Sequence, residues 1–221
     1  LFEDSQYPGV VTGTRTLIDL ALNRYSQTSF THDEWGNVTT QKVWTGYGTA
    51  TQAPTTGLQT TTIAYDLNYD TYPISITNAL GHVTTLVYNY TLGVPTSETG
   101  PNGAATTVSA EYDVFGRLVK LIRPGDSSAS PTLEIAYINN PFTVTLTQKI
   151  DDTQSFEIER RYDGLGRPTL VTANNSILVN YTYGYENGAR VDKQSVPHTS
   201  AETVYWSKVK YDSMGRPSLV T

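Results

Sequence analysis

One seven-residue motif recurs along the chain as Tyr112-Asp113-Val114-Phe115-Gly116-Arg117-Leu118, Tyr162-Asp163-Gly164-Leu165-Gly166-Arg167-Pro168 and Tyr211-Asp212-Ser213-Met214-Gly215-Arg216-Pro217. Successive copies lie 50 and then 49 residues apart. A catalytic centre needs its residues once, whereas a structural unit recurs at a fixed period. The repetition therefore predicts an architectural role for the motif.

The chemistry of the motif is that of a β-hairpin turn. At the first position of a type I turn, Asp113 accepts hydrogen bonds from backbone amides, and Gly116 at the fourth position tolerates the left-handed backbone that closes the hairpin with a bulge. Tyr112 then ends one strand and Arg117 starts the next, so we expect ring and guanidinium to stack across their own hairpin. The same roles are predicted for Tyr162, Asp163, Gly166, Arg167, Tyr211, Asp212, Gly215 and Arg216.

Weaker turn signals precede the clear copies. They are His32-Asp33-Glu34-Trp35-Gly36-Asn37-Val38, Asn78-Ala79-Leu80-Gly81-His82-Val83 with Asn in place of Asp, and Gly100-Pro101-Asn102-Gly103 with an Asn-Gly pair. These segments predict further hairpin turns. The 50-residue interval is longer than one hairpin of ordinary strands requires, so we expect two hairpins per interval, one with the motif and one without it.

The motif resembles the signature of the YD repeat, which is the unit of bacterial Rhs proteins, of insecticidal Tc-toxin components and, more distantly, of teneurins. The stretches 76–85, 93–97 and 101–104 are also similar to repeats of bacterial toxin polypeptides. The resemblance covers residues 25–221 and leaves residues 1–24 as an N-terminal flank. It implies an all-β fold in which successive antiparallel β-hairpins form a curved sheet strip, a segment of a YD-repeat shell, in a protein of bacterial origin.

Composition supports an all-β fold independently of the resemblance. The chain has 16 Tyr, 17 Gly and 11 Pro residues, which favour strands and turns. Apolar and polar residues alternate in 142–147, 156–162 and 179–186, as in half-buried antiparallel strands. The segment 117–122 is apolar on both faces, and 17–22 fits a helix or a strand equally well. Breaks between strands are predicted at 46–58, which is long enough for a linker or an inserted loop, and at 124–131 and 197–201.

Several classes of function are disfavoured by the sequence. A net charge of −6 and a pI of about 5.0 argue against a nucleic-acid partner, whose phosphates require a basic surface. No apolar run reaches the length of a membrane span, and the chain has no cysteine for disulfides or thiolate chemistry. The three histidines lack metal-ligand spacing, and nucleophile and phosphate-binding motifs are absent. We therefore predict no catalytic, cofactor-binding or metal-binding residue.

The many tyrosines have two interpretations. A row such as Tyr181, Tyr183 and Tyr185 offers an apolar stacking surface for sugars, or it forms the packed face of a sheet. Packing is favoured because the repeated tyrosine adjoins the turn in each copy of the motif.

The resemblance implies a non-enzymatic structural segment of a secreted polymorphic or insecticidal-type toxin, in which the shell encapsulates a C-terminal toxin domain. The partners would be further repeats and the enclosed domain of the same polypeptide, with other toxin-complex subunits or cell-surface glycans beyond it. The expected location is secreted or on the bacterial cell surface, and the chain is expected to be part of a longer polypeptide. The alternative is an extracellular YD-repeat module that binds carbohydrates or cells. A glycoside-processing enzyme is a weaker third hypothesis, since it requires a convergent pair of carboxylates.

Overall fold

The computed structural model describes the backbone of residues 2–3 and the whole of residues 9–221. Residues 1 and 4–8 of the N-terminal flank lie outside the described residues. The chain divides into two compact units, Leu1–Ser109 and Ala110–Thr221.

Unit 1 consists of short strands and one turn of 3₁₀ helix. Its strands are β1 (Phe2–Glu3), β2 (Val11–Asp19), β3 (Arg24–His32), β4 (Val38–Trp44), β5 (Leu58–Tyr65), β6 (Pro73–Thr77), β7 (Val83–Asn89) and β8 (Val94–Thr99). The 3₁₀ helix is Gly103–Thr106, and β9 (Val108–Tyr112) begins in this unit and ends in the next.

Unit 2 consists of strands joined by turns and loops. After β9 it contains β10 (Leu118–Ile122), β11 (Leu133–Asn139), β12 (Phe142–Lys149), β13 (Ser155–Tyr162), β14 (Pro168–Ala173), β15 (Ile177–Glu186), β16 (Ala189–Ser195), β17 (Trp206–Tyr211) and β18 (Pro217–Val220). The all-β prediction is confirmed, as is the prediction of two hairpins between successive copies of the motif, because four strands separate Tyr112 from Asp163.

Within each unit, every strand pairs antiparallel with the strands that precede and follow it in the sequence. Successive turns therefore alternate between the two ends of the strands. In unit 2, the turns β9/β10, β11/β12, β13/β14, β15/β16 and β17/β18 share one end. In unit 1, the turns β3/β4, β5/β6 and β7/β8 share one end. We call these the motif ends, because the Tyr-Asp turns lie there.

Each unit is a single layer of sheet in the part of the chain that the structure describes. Strands contact only their neighbours in sequence. Among the described residues, the buried apolar side chains are those of Val191, 2% exposed, and of Pro54 in the loop after β4. The faces of unit 2 differ in character. One carries an apolar row of directly opposed residues, Ile135, Leu146, Ile158, Ala173 and Ile177. The adjacent row on the other face is Ala136, Thr145, Glu159, Thr172 and Leu178.

Three further segments singled out in the sequence have defined structures. Residues 17–19 belong to strand β2, and the following residues form a turn in which the Asp19 carboxylate accepts a hydrogen bond from the Leu22 N–H. The break at 46–58 is an inserted surface loop that folds back on unit 1, since Gly48 forms a β-bridge with Tyr25. All five residues of β10 are half-buried, so neither of its faces is fully exposed. No helix in residues 9–221 has the length and apolar character of a membrane span.

Candidate functional site

The motif turn around Asp163 has the predicted geometry. The Asp163 N–H donates to the Arg167 carbonyl at 2.9 Å, and the Gly166 N–H donates to the Asp163 carbonyl at 3.0 Å. Asp163 Oδ1 accepts from the N–H groups of Leu165 and Arg167, both at 2.9 Å. Gly166 has φ 76, and the pairing register shifts next to Tyr162. The predicted bulged hairpin with a left-handed glycine is confirmed.

The other copies repeat this geometry. Asp113 Oδ1 accepts from Phe115 and Arg117 at 2.9 and 3.0 Å, and Asp212 Oδ1 accepts from Met214 and Arg216, both at 2.9 Å. Gly116 and Gly215 also have φ 76. The predicted weaker turn at Asp33 is confirmed in the same way, because its carboxylate accepts from Trp35 and Asn37 at 3.0 and 2.8 Å. The turn at Gly100 is closed by the Gly103 N–H at 3.0 Å.

The second carboxylate oxygen of each motif aspartate holds the arginine that closes the turn. The Nε–H of Arg167 donates to Asp163 Oδ2 at 2.8 Å, and the same bond measures 2.6 Å in the first copy and 2.8 Å in the third. The hydrogen bond from the Arg167 backbone N–H lowers the pKa of Asp163. Burial opposes this effect, and the hydrogen bond from the Arg167 side chain adds to it. This pair orients the guanidinium, and sequence analysis did not predict it.

The arginine does not stack on the tyrosine of its own motif, so that prediction is wrong for Arg167. Its guanidinium carbon lies 4.2 Å from the ring centroid of Tyr183, which belongs to the next hairpin. The bulge explains the difference, because it places Tyr162 opposite Pro168 rather than opposite Arg167. Strand β14 pairs with β15 on its other side, which brings Arg167 to Tyr183.

The same relationship links each hairpin of unit 2 to the next. A residue at or near the start of an even-numbered strand stacks on a tyrosine of the following odd-numbered strand. The four pairs are Arg117 with Tyr137 at 4.1 Å, Phe142 with Tyr162 at 5.3 Å, Arg167 with Tyr183 at 4.2 Å and Arg190 with Tyr211 at 4.8 Å. We call these four pairs the stacking series. The tyrosine of the third motif thus receives Arg190, and not Arg216.

Tyrosine hydroxyls add a second link between hairpins. The Tyr137 hydroxyl donates to the Leu118 carbonyl at 3.1 Å, and the Tyr183 hydroxyl donates to the Pro168 carbonyl at 2.8 Å. Each acceptor directly follows the arginine of the preceding motif. Burial raises the pKa of Tyr183, so its hydroxyl stays a neutral donor. The predicted packing role is therefore confirmed for Tyr183.

Two turns at the motif end of unit 1 were not predicted from the sequence. The buried Asp66 carboxylate accepts four backbone N–H groups, from Asn68, Tyr69, Thr71 and Tyr72, at 2.8–3.2 Å. Asp70, with φ 48, supplies the left-handed residue that glycine supplies elsewhere. The second missed turn starts at Asn89, whose side-chain oxygen accepts from Leu92 at 3.2 Å and whose carbonyl accepts from the left-handed Gly93. The Tyr-Asp pair at 65–66 and the Tyr-Asn pair at 88–89 were the available signals.

The turn at Asn78 has motif chemistry but lies at the other end of the strands. Its side-chain oxygen accepts from Leu80 and His82 at 2.9 and 3.0 Å, and Gly81 has φ 79. It joins β6 to β7, whereas the motif-end turns of unit 1 join odd-numbered strands to the following even-numbered ones. The predicted hairpin turn is confirmed, and it lies at the end of the strands opposite to the motif end.

Each turn of this type carries a large exposed apolar residue directly before its glycine. These residues are Trp35, Leu80, Phe115, Leu165 and Met214, and they are 66–79% exposed. The third turn position does not require an apolar side chain. These apolar side chains are therefore not needed to form the turns and belong to the exposed surface. They were not predicted from the sequence.

One buried cluster in unit 2 has the residue types of a hydrolase site but a different hydrogen-bond pattern. Ser195 Oγ accepts from the Asn180 N–H at 2.8 Å and lies 3.4 Å from His198 Nδ1. His198 Nδ1 is 2.9 Å from the Val196 carbonyl, which only accepts, so Nδ1 carries the proton. A protonated Nδ1 is not a base for Ser195. The cluster joins the loop after β16 to β15, and the described residues contain no group of three potential metal ligands.

No family model and no curated protein matches the sequence. Among solved structures, a match covers 90% of this chain and 11% of the crystal structure of TcdB2-TccC3 without its hypervariable C-terminal region, with a TM-score of 0.55 and 14% identity. The chain is similar in fold to part of TcdB2-TccC3. It spans about a ninth of the TcdB2-TccC3 chain, and the likeness supports the fold of successive antiparallel hairpins predicted from the motif.

Proposed function

We propose that this chain is a wall segment of an Rhs-type shell that encloses a C-terminal toxin domain in a secreted bacterial polypeptide. The observation that carries the proposal is the stacking series. Each hairpin is fixed to the next through side chains at one end of the strands, so the sheet extends by repetition instead of closing around a core of its own.

The single-layer architecture supports the same proposal. A globular β domain buries one face of its sheet against a second layer. In unit 2, the row from Ile135 to Ile177 is only partly buried by its own sheet. A wall with one apolar face offers an enclosed polypeptide a surface to contact. The fold shared with TcdB2-TccC3, a Tc-toxin component, is a further support.

A role in structure rather than catalysis is part of the proposal. The carboxylates of the three motif aspartates accept hydrogen bonds from backbone amides and from the arginines of their own turns. The same arrangement is present in every copy of the motif. The partners would be further repeats and the enclosed domain of the same polypeptide, and the location would be extracellular. The alternative function, an extracellular module that binds carbohydrates, is favoured by a group of four tyrosine rings in unit 1 that offers aromatic surface. The rings lie at the turns β5/β6 and β7/β8 with centroids 5.0–6.3 Å apart, and we call them the tyrosine cluster: Tyr69, Tyr72, Tyr88 and Tyr90.

The test is to purify the native polypeptide from its source, determine its intact mass and both terminal sequences, and then digest it with a protease. We expect many further Tyr-Asp repeats and a distinct C-terminal domain that is degraded only after the shell has been opened with denaturant. A polypeptide that has few additional repeats and ends in a membrane or cell-wall anchor would refute encapsulation and favour the surface module.

A further inference from the structure

Among the described residues, tyrosine rings contact other tyrosine rings only in the tyrosine cluster. The centroids of Tyr72 and Tyr88 are 5.0 Å apart, and Tyr90 lies 5.4 Å from Tyr72. Tyr69 lies 5.2 Å from Tyr90 and 6.3 Å from Tyr72. These are the distances of packed aromatic pairs, so each ring touches at least one other phenol.

Two of the four rings suffice to connect the hairpins. Tyr72 closes the turn that begins at Asp66, as Arg167 closes its own turn, and it stacks on Tyr88 of the next odd-numbered strand. Each step of the stacking series in unit 2 is likewise made by one pair. Tyr69 and Tyr90 form a second pair outside the first, and their side chains are exposed, by 59% and 36%. Hairpin packing does not account for this outer pair.

The charges around the cluster favour oxidation of its rings over oxidation of the tyrosines in the stacking series. Guanidinium carbons lie 4.1–4.8 Å from the ring centroids of Tyr137, Tyr183 and Tyr211, and a positive charge opposes removal of an electron from a ring. In the part of the chain that the structure describes, no guanidinium lies over a ring of the cluster. The charge there is negative, because burial raises the pKa of Tyr88 and the carboxylate of Glu98 raises it further.

The exposure of the outer pair gives a dissolved oxidant access to it. Exposed side chains change rotamer within nanoseconds, so the rings of Tyr69 and Tyr90 can approach each other more closely than their resting 5.2 Å. Because both rings belong to one folded chain, their reaction replaces a collision between two dilute molecules. Proximity, access and charge therefore coincide at this pair.

We propose that Tyr69 and Tyr90 form a dityrosine cross-link when a peroxide is the oxidant. Each phenol loses one electron and one proton, and the two radicals form a carbon–carbon bond between ring positions adjacent to the hydroxyls. The hydrogens on these two carbons transfer to the phenol oxygens, so the product keeps both hydroxyls and has two hydrogen atoms fewer than the two tyrosines. Hydrogen peroxide takes up the two electrons and two protons and becomes two molecules of water.

The cross-link fastens the turn β5/β6 to the turn β7/β8. The chain contains no cysteine, so its own residues cannot connect these hairpins by a disulfide. A bond between residues 69 and 90 closes a loop of the unfolded chain, which stabilises the folded state in the same way as a disulfide does. The inference is independent of the proposed wall function, because it depends on ring contacts within unit 1 and not on an enclosed cargo.

The experiment treats the 221-residue chain, at low protein concentration, with hydrogen peroxide and a haem peroxidase. The monomeric product is isolated by size-exclusion chromatography and cleaved on the N-terminal side of aspartate. Cleavage at Asp66 and Asp70 separates the peptide 66–69, which contains Tyr69, from the peptide 70–112, which contains the rest of the cluster. We expect the two peptides to stay joined, with a mass two hydrogen atoms below their sum and with dityrosine fluorescence.

Two phenylalanine variants serve as test and control. Tyr90→Phe keeps a ring in the cluster but removes the phenol, so the peptide 66–69 should be released after the same treatment. Tyr205→Phe removes a tyrosine of unit 2 that is 70% exposed, and it should cross-link as the wild-type chain does. Fragmentation of the joined peptides by mass spectrometry identifies the two linked residues.

Release of the peptide 66–69 from the oxidised wild-type monomer would overturn the proposal, and so would an undiminished link in Tyr90→Phe. Links spread over exposed tyrosines of both units would also overturn it, since exposure and not ring contact would then direct the reaction. The cross-linked monomer should unfold about 5–10 °C above the untreated chain, and equal melting temperatures would refute the stabilising role. None of these results bears on the extent of the native polypeptide, so the wall function is tested separately.

Discussion

The guanidinium of Arg167 lies over the ring of Tyr183 at 4.2 Å, 16 residues further along the chain and in a different hairpin. The motif therefore connects hairpins as well as closing its own turn. The second carboxylate oxygen of Asp163 accepts a hydrogen bond from the Arg167 Nε–H. A single aspartate therefore both shapes the turn and orients the arginine toward the next hairpin.

A double-mutant cycle distinguishes contact with the next hairpin from contact within the motif. Arg167→Ala and Tyr183→Leu should show a coupling free energy of about 0.5–1 kcal/mol in urea unfolding, since together they remove one cation–π pair. Arg167→Ala and Tyr162→Leu should be additive. Equal coupling in both cycles would contradict the assignment of Arg167 to the next hairpin.

The left-handed glycine of the motif provides a second test with a control in the same turn. Replacing Gly166, at φ 76, by Val should cost about 1–2 kcal/mol, because left-handed backbone is strained for a β-branched residue. No atom lies within 4 Å of the added Cβ, so the cost is conformational. Gly164→Ala, also in open space but without a positive φ, should change the stability by less than about 0.5 kcal/mol. Thermal unfolding that is alike for both variants would argue against the turn geometry.

The turn that lacks a glycine depends on its carboxylate. Asp66→Asn should destabilise the chain by about 1–3 kcal/mol, because the amide has one acceptor oxygen where the buried carboxylate has two and serves four N–H donors. Asp70→Asn is the matched control, since asparagine tolerates the left-handed backbone of that position. Chemical denaturation of the two variants gives the comparison. A cost for Asp70→Asn as large as that for Asp66→Asn would show that loop backbone, and not the carboxylate, determines the stability.

The pH dependence of stability should reflect Glu186, which lies among three lysines. Hydrogen bonds from Lys208 and from Lys193, the latter at 2.9 Å, lower the pKa of Glu186 from 4.5 to about 2. Since the folded pKa is below the unfolded one, the unfolded state binds more protons between these values, and stability is lost as the pH falls from about 4.5 to about 2. The melting temperature measured across this window should fall less steeply in Glu186→Gln than in the wild-type chain. Parallel pH profiles would count against the lysine contacts.

The parts of the fold that could be predicted from sequence are those formed by neighbouring residues. The turn from Asp163 to Arg167 is closed within five residues, so the identities of Asp and Gly were sufficient. The partner of Arg167 was not predictable from the motif, because it depends on the register of β14 with β15. The turn at Asp66 was missed because it is longer and uses Asp70 in place of glycine.

The tyrosine cluster shows the same limit of local patterns. The alternation of Tyr181, Tyr183 and Tyr185 within one segment is compatible with a sugar-binding surface as well as with the favoured packed face of a sheet. The structure instead uses Tyr183 for packing and brings together tyrosines from two separate turns, at 69–72 and 88–90. Their assembly follows from the pairing of β6 with β7, which no short motif encodes.

The alternation of turns between the two ends has a genetic consequence. At the motif end of unit 2, the odd-numbered strands end at residues 112, 139, 162, 186 and 211, so one turn follows another every 23 to 27 residues. If the gene gains or loses a block that encodes one hairpin, all later motif turns stay at the same end of the strands. The arginine before the inserted or deleted hairpin then still contacts a tyrosine of the hairpin that follows. Gain or loss of a single strand would move every later motif to the opposite end. Recombination between copies of this repeat can therefore lengthen or shorten the protein in whole hairpins without redesigning any contact.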